Sequence, residues 1–121
     1  MIKKMEISGI HSDVNPDLRK YTEKKIGRMD RYLPRHARES AHAEVKLKEQ
    51  MIKTKKECTC EVILHLPHEV ITIKETTINM YAAVDIVETK LKNRIHKYKE
   101  KHTDRRLHRR VLNKLRSRRQ R

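Results

Sequence analysis

At 121 residues, with 31 Lys and Arg against 16 Asp and Glu, the chain carries a formal net charge of +15 and has room for one modest hydrophobic core. Its apolar runs fall short of the roughly 20 residues that span a bilayer, and the opening MIKKMEISG lacks the apolar stretch of a secretory signal. Two cysteines two positions apart make no disulfide framework. The expectation is a soluble cytoplasmic protein, monomeric when free, with an anionic partner: nucleic acid rather than a membrane. The charge is uneven, with 21 basic and 15 acidic residues over 1–100 but ten basic and one acidic over 101–121. This predicts a globular domain over 1–101 and a basic tail over 102–121.

In chain order, residues 2–10 place Met5 and Ile7 on one face and Lys4, Glu6 and Ser8 on the other, which predicts a first strand. Asn15-Pro16 is a helix start, because Asn accepts from orphan amides and Pro at the first helical position has none to leave unsatisfied. The first helix is expected over 16–32. Leu18, Thr22 and Met29 lie in its apolar arc, with Tyr21, Ile26 and Tyr32 at the edges. Lys25 falls inside the arc, where a lysine lays its stem over the core and keeps its ammonium in water. Lys20, Lys24, Arg28 and Arg31, spaced 4, 4 and 3, form a cationic shoulder.

Leu33-Pro34 ends that helix, and RHARES reads as a polar connection. Ala41, Ala43, Val45 and Leu47 then alternate with His42, Glu44, Lys46 and Lys48, the pattern of a half-buried antiparallel strand. Residues 50–56 read as an exposed turn. In a third strand Cys58, Cys60, Val62, Leu64 and Leu66 share a face opposite Thr59, Glu61, Ile63 and His65. After a Pro67-His68 turn, residues 70–74 read as a fourth strand. A second helix over 79–101 follows, with Met80, Val84, Val87, Leu91, Ile95 and Tyr98 in one buried stripe. Lys90, Arg94, Lys97 and Lys101 flank it at spacings of 4, 3 and 4.

The order strand, helix, three strands, helix predicts an α+β fold, βαβββα. Its four-stranded, mainly antiparallel sheet would carry both helices on one face, as in double-stranded-RNA-binding domains. In the tail, Leu107, Val111 and Leu115 recur at helical spacing. Arg105 with Arg109, and Arg106 with Arg110, are like-charged pairs that phosphates would relieve. The tail is expected to be disordered when free and to order on RNA.

No catalytic pattern is present. Gly9 and Gly27 are the only glycines, which excludes a Gly-rich phosphate loop, and no Gly-x-Ser-x-Gly or His-Glu-x-x-His occurs. Glu57, Glu61 and Asp85 read as partners of lysines. Neither enzymatic activity nor a small-molecule substrate is expected. His65 and His68 lie near Cys58 and Cys60, but on a strand His65 points away from the thiols. The cysteines read as core, and neither a metal nor another cofactor is expected. With four Tyr, no Phe and no Trp, the chain lacks the stacking sheet of single-strand readers. Backbone and shape recognition of folded RNA by helices and tail fits better.

The segment Asn79-Met80-Tyr81-Ala82-Ala83-Val84-Asp85, followed by Lys90-Leu91 and Lys97-Tyr98-Lys99, resembles a family signature. It is the Asp-Met-Tyr-Ala-Ala-Ile-Asp motif and basic second helix of the ribosome hibernation promoting factor/ribosome-associated inhibitor family. Ile7-Ser8-Gly9 and the pattern Leu18, Tyr21, Lys24, Lys25, Ile26 agree with it. The resemblance spans residues 1–101 and implies a domain that binds small-subunit rRNA between head and body, in the channel used by mRNA and by tRNA at the A and P sites. Carried over by position, Lys24, Lys25, Arg28, Arg31, Lys90, Arg94, Lys97 and Lys101 would contact that rRNA. Lys20 and the tail residues Arg105, Arg106, Arg109 and Arg110 would extend the contact. The chain resembles the short form of the family, without the further C-terminal domain that pairs ribosomes. The alternatives are a general double-stranded-RNA-binding or ribosome-assembly protein without an inhibitory role, and a basic membrane-surface or polyanion-buffering protein.

Overall fold

The computed structural model describes residues 2–10 and 13–101. Strand β1 (Lys4–Ile10) turns Ile7 inward, and Ile2 ahead of it is held by a hydrogen bond from its backbone N–H to the Gly27 carbonyl at 3.0 Å. Helix α1 (Pro16–Gly27) starts as its sequence dictates: Asn15 Oδ1 accepts from the Asp17 amide at 2.8 Å and Pro16 follows the cap. The expected helix over 16–32 changes pitch after Gly27, continuing as a 3-10 segment (Arg28–Tyr32). Pro34 requires an extended residue before it, and Leu33 obliges with φ −80 and ψ 147. The last turn therefore closes with the tighter bond from the Leu33 amide to the Asp30 carbonyl.

The polar connection expected over 35–40 contains a one-turn helix, α2 (Arg35–Arg38), which buries Ala37. Arg38 returns its guanidinium to the Leu33 carbonyl at 3.1 Å and the Arg31 carbonyl at 3.4 Å, satisfying acceptors that the helix end leaves exposed. Strands β2 (His42–Ile52) and β3 (Lys55–Leu66) are longer than the alternation implied. Ile52 pairs with Lys55, so the exposed turn expected over 50–56 shrinks to Lys53-Thr54, with Lys53 at φ 59. His68, at φ 68, turns the chain into β4 (Glu69–Thr77), which also outruns its expected range. Helix α3 (Met80–Lys101) closes the described chain.

The sheet order is β1-β2-β3-β4, with β1 parallel to β2 and the other pairs antiparallel. Both long helices cover one face, so the α+β, mainly antiparallel architecture is the one expected. That face supplies Ala43, Val45, Leu47, Cys60, Val62, Leu64 and Ile71, all buried against Ile26 of α1 and the stripe of α3. All six stripe residues are buried, from Met80 to Tyr98, whose hydroxyl donates to the Pro67 carbonyl at 2.9 Å. Cys58 and Cys60 are free thiols on this face, and burial pushes the Cys60 thiol up to about 12. The other face mixes exposed apolar residues such as Ile52 and Val70 with charged ones, Lys46, Glu61 and Lys74 forming one cross-strand row.

Candidate nucleic-acid interface

Helix α3 begins on Asn79, whose Oδ1 accepts from the Tyr81 amide at 2.9 Å. In the turn that follows, Met80, Ala83 and Val84 are buried against the sheet, while Tyr81 and Asp85 turn toward α1. There the Tyr21 hydroxyl donates to Asp85, and the Tyr21 and Tyr81 rings meet edge to face at 5.0 Å. The bond to the carboxylate, joined by partial burial, pushes the Tyr21 phenol up to about 12. Lys25 lies over the core as expected, with its side chain 27% exposed, and it also meets two carboxylates. Its ammonium stands 3.6 Å from Asp85 and 3.8 Å from Glu88, because α3 turns both carboxylates onto the α1 side. Lys25 thus neutralises acidic groups that would otherwise repel an anion.

One turn further along, the 3-10 segment and α3 enclose a groove of about 370 Å³. Arg28, Arg31 and Tyr32 line one wall; Lys92, Asn93 and His96 line the other. Arg31 donates to the Tyr32 hydroxyl at 2.9 Å, and its guanidinium and the Lys92 ammonium each lie 4.9 Å from the Tyr32 ring centre. The His96 ring is tilted 5.7 Å away. Partial burial pushes the Tyr32 phenol up, but the bond from Arg31 and the Arg31 and Lys92 charges outweigh it and lower it below the usual tyrosine value. The result is one aromatic plate ringed by cations, open at the helix-covered side.

Of the cations expected to contact RNA, only Arg28 and Arg31 line this groove. Lys90 pairs with Glu75 of β4. Residues 90 and 92 lie about 200° apart on a helix, so the row Lys90, Arg94, Lys97, Lys101 follows the β4 flank of α3 while Lys92 and His96 follow the α1 flank. Sequence reasoning missed that second row, although Glu88, Lys92 and His96 recur every fourth residue. Lys20 and Lys24 are exposed on α1. Within the described residues no ion pair engages Lys20, Lys24, Arg28, Arg31, Lys92, Arg94 or Lys97. Arg105, Arg106, Arg109 and Arg110 lie outside the described residues. No helix among the described residues is long and apolar enough to cross a membrane.

Comparison with known proteins matches residues 5–103 to the model of a family described as Sigma 54 modulation protein / S30EA ribosomal protein. The ribosome hibernation promoting factor of Azotobacter vinelandii is 34% identical over 102 residues, covering 84% of this chain and 87% of that protein. The ribosome hibernation promotion factor of Lactococcus lactis is 32% identical over 96 residues, which are 79% of this chain. The chain matches about half of that relative's length, 49%. Among solved structures, a ribosomal subunit interface protein from Coxiella burnetii superposes with a TM-score of 0.61 at 26% identity, covering 80% of this chain and 98% of that one. The N-terminal domain of Thermus thermophilus Protein Y shares the fold, with a TM-score of 0.59 at 24% identity over 80% of this chain and 97% of that one. The chain therefore belongs to the Sigma 54 modulation protein / S30EA ribosomal protein family, together with the ribosome hibernation promoting factors whose signature its residues 79–85 resemble.

Proposed function

We propose that this protein is a ribosome hibernation factor: a cytoplasmic, non-catalytic plug. It would bind small-subunit rRNA in the channel used by mRNA and by tRNA at the A and P sites. The observation that carries this reading is the family match over residues 5–103, and the charge geometry supports it. Lys20, Lys24, Arg28, Arg94 and Lys97 have no carboxylate partner within the described residues, so an incoming phosphate meets them without first breaking an ion pair, while Arg31 must in addition give up its bond to Tyr32. Lys25 and Lys90 act one step back, holding α3 against α1 and β4. The cations of Lys101 and of Arg105, Arg106, Arg109 and Arg110 in the tail over 102–121 would add to the contact with rRNA.

Inhibition is steric: a domain seated in the channel excludes tRNA and mRNA and preserves the idle particle. Binding energy from roughly 6 to 10 neutralised phosphates would fall about 10³- to 10⁵-fold in affinity between 50 and 200 mM salt, on the duplex-DNA scale. The test is cosedimentation with small subunits and whole ribosomes in sucrose gradients, with and without initiator tRNA. Stoichiometric binding that tRNA displaces is the expected result. Coexistence with bound tRNA and mRNA would make the protein a general RNA-binding or assembly factor instead, and binding that is flat with salt would remove the electrostatic basis.

A further inference from the structure

The face of the sheet turned away from α1 and α3 carries a cluster that the ribosome reading does not use. The register sets Glu6 of β1 beside Glu44 of β2, and His42 of β2 opposite His65 of β3. Side chains of one parity share a face, so two carboxylates and two imidazoles converge there. One donor atom each from Glu6, His42 and Glu44 lies within 4.8 Å of the others. The His42 and His65 rings stack at 5.4 Å, and His65 Nε2 stands 3.5 Å from Glu44 Oε2. We infer that Glu6, His42 and Glu44 form a binding site for a zinc-class divalent cation on this face of the sheet, with His65, in contact with Glu44 and stacked on His42, positioning those two ligands.

Three features carry this assignment. The donor atoms of Glu6, His42 and Glu44 already lie within 4.8 Å of one another, and rotation between side-chain rotamers can draw them onto one ion. A central zinc with ligands at roughly 2.0 to 2.2 Å would set them about 3.3 to 3.6 Å apart, a modest contraction of that cluster. The donor set, imidazole nitrogen with carboxylate oxygen, suits zinc, cobalt, nickel or copper and not magnesium or calcium. The donors and His65 also sit on three hydrogen-bonded strands, whose backbone fixes their spacing. His65 and Glu44 keep 43% and 36% of their side-chain surface exposed, so an ion can enter from solvent. Lys4 and Lys46 flank the cluster but are exposed, and their long stems let the ammonium groups swing away.

The site is independent of ribosome binding, so it is tested without ribosomes. The full chain is titrated with ZnCl₂ by calorimetry and with CoCl₂ by visible absorption. The expected result is saturable binding of one ion per chain, with a cobalt spectrum of nitrogen and oxygen ligands and no thiolate charge-transfer band. Substitutions His42→Ala, His65→Ala and Glu44→Gln should each weaken zinc binding by about 10- to 100-fold, since even indirect partners of metal ligands have effects of that size. Imidazole NMR of the unsubstituted protein provides a reading that survives a poorly folding variant: zinc should move the His42 and His65 ring signals first. No saturable binding, affinities unchanged by these substitutions, or a first response at His68, His96 or another histidine would each overturn the assignment.

Discussion

The two flanks of α3 differ in the charge they carry and in what that charge is tied to. On the α1 side the polar groups are interlocked: Tyr21 with Asp85, Lys25 between Asp85 and Glu88, and Arg31 and Lys92 around Tyr32. On the β4 side Lys90 is tethered to Glu75, while Arg94 and Lys97 have no ion-pair partner within the described residues. A cation's value to a polyanion depends on what it must give up, so an interlocked flank sets geometry and an open one supplies charge. Both flanks rest on a single stripe of buried side chains.

The largest effect is expected from that shared support. Leu91→Ala removes a fully buried side chain and should cost about 2 to 5 kcal/mol, read by denaturant unfolding, with ribosome binding lost from both flanks together. Next, Arg94→Ala and Lys97→Ala should each lower the slope of log affinity against log salt by about 0.7 to 0.9 without changing the melting temperature. An equal loss of slope from Arg31→Ala would erase the distinction between the flanks. Asp85→Ala should destabilise by about 1 kcal/mol, a modest figure because the carboxylate is half exposed. It should also return the Tyr21 phenol to its ordinary range.

The smallest effect is read by ultraviolet titration of the tyrosines. Tyr32 should ionise below the usual value and Tyr21 at about 12. Because the folded Tyr21 holds its proton more tightly than the unfolded one, its contribution to stability is complete below about pH 10 and is lost as pH rises toward 12. Lys92→Ala should raise the Tyr32 phenol and leave Tyr21 unmoved.

Much of the fold was legible because burial writes a period into the chain. The alternation from Ala41 to Leu47 and from Cys58 to Leu66 marks the covered face of β2 and β3, and the six-residue stripe of α3 is buried throughout. Turns were harder. Lys53 and His68 adopt positive φ without the glycine or asparagine that normally signals it, so both turns were located but the ends of the strands around them were not. The groove was illegible for another reason: periodicity separates the faces of a helix but does not say which neighbour each flank will meet. Lys92 and His96 became groove residues only because α1 and its 3-10 extension pack on that side. The His and Glu cluster depends on the mutual register of three strands, a property of pairing that no single strand records.

The parallel pairing of β1 also has a kinetic meaning. β2, β3 and β4 are joined by short turns and can zip together locally, whereas Ile7 reaches Val45 only after the intervening α1 has crossed over. Closing that longer loop costs entropy that the hairpins avoid. β1 should therefore join the folding chain last and, as an edge strand with one neighbour, open first in the native state. Its amides should exchange with solvent sooner than those of β3, through an excursion that leaves the three-strand meander and its α3 cover in place.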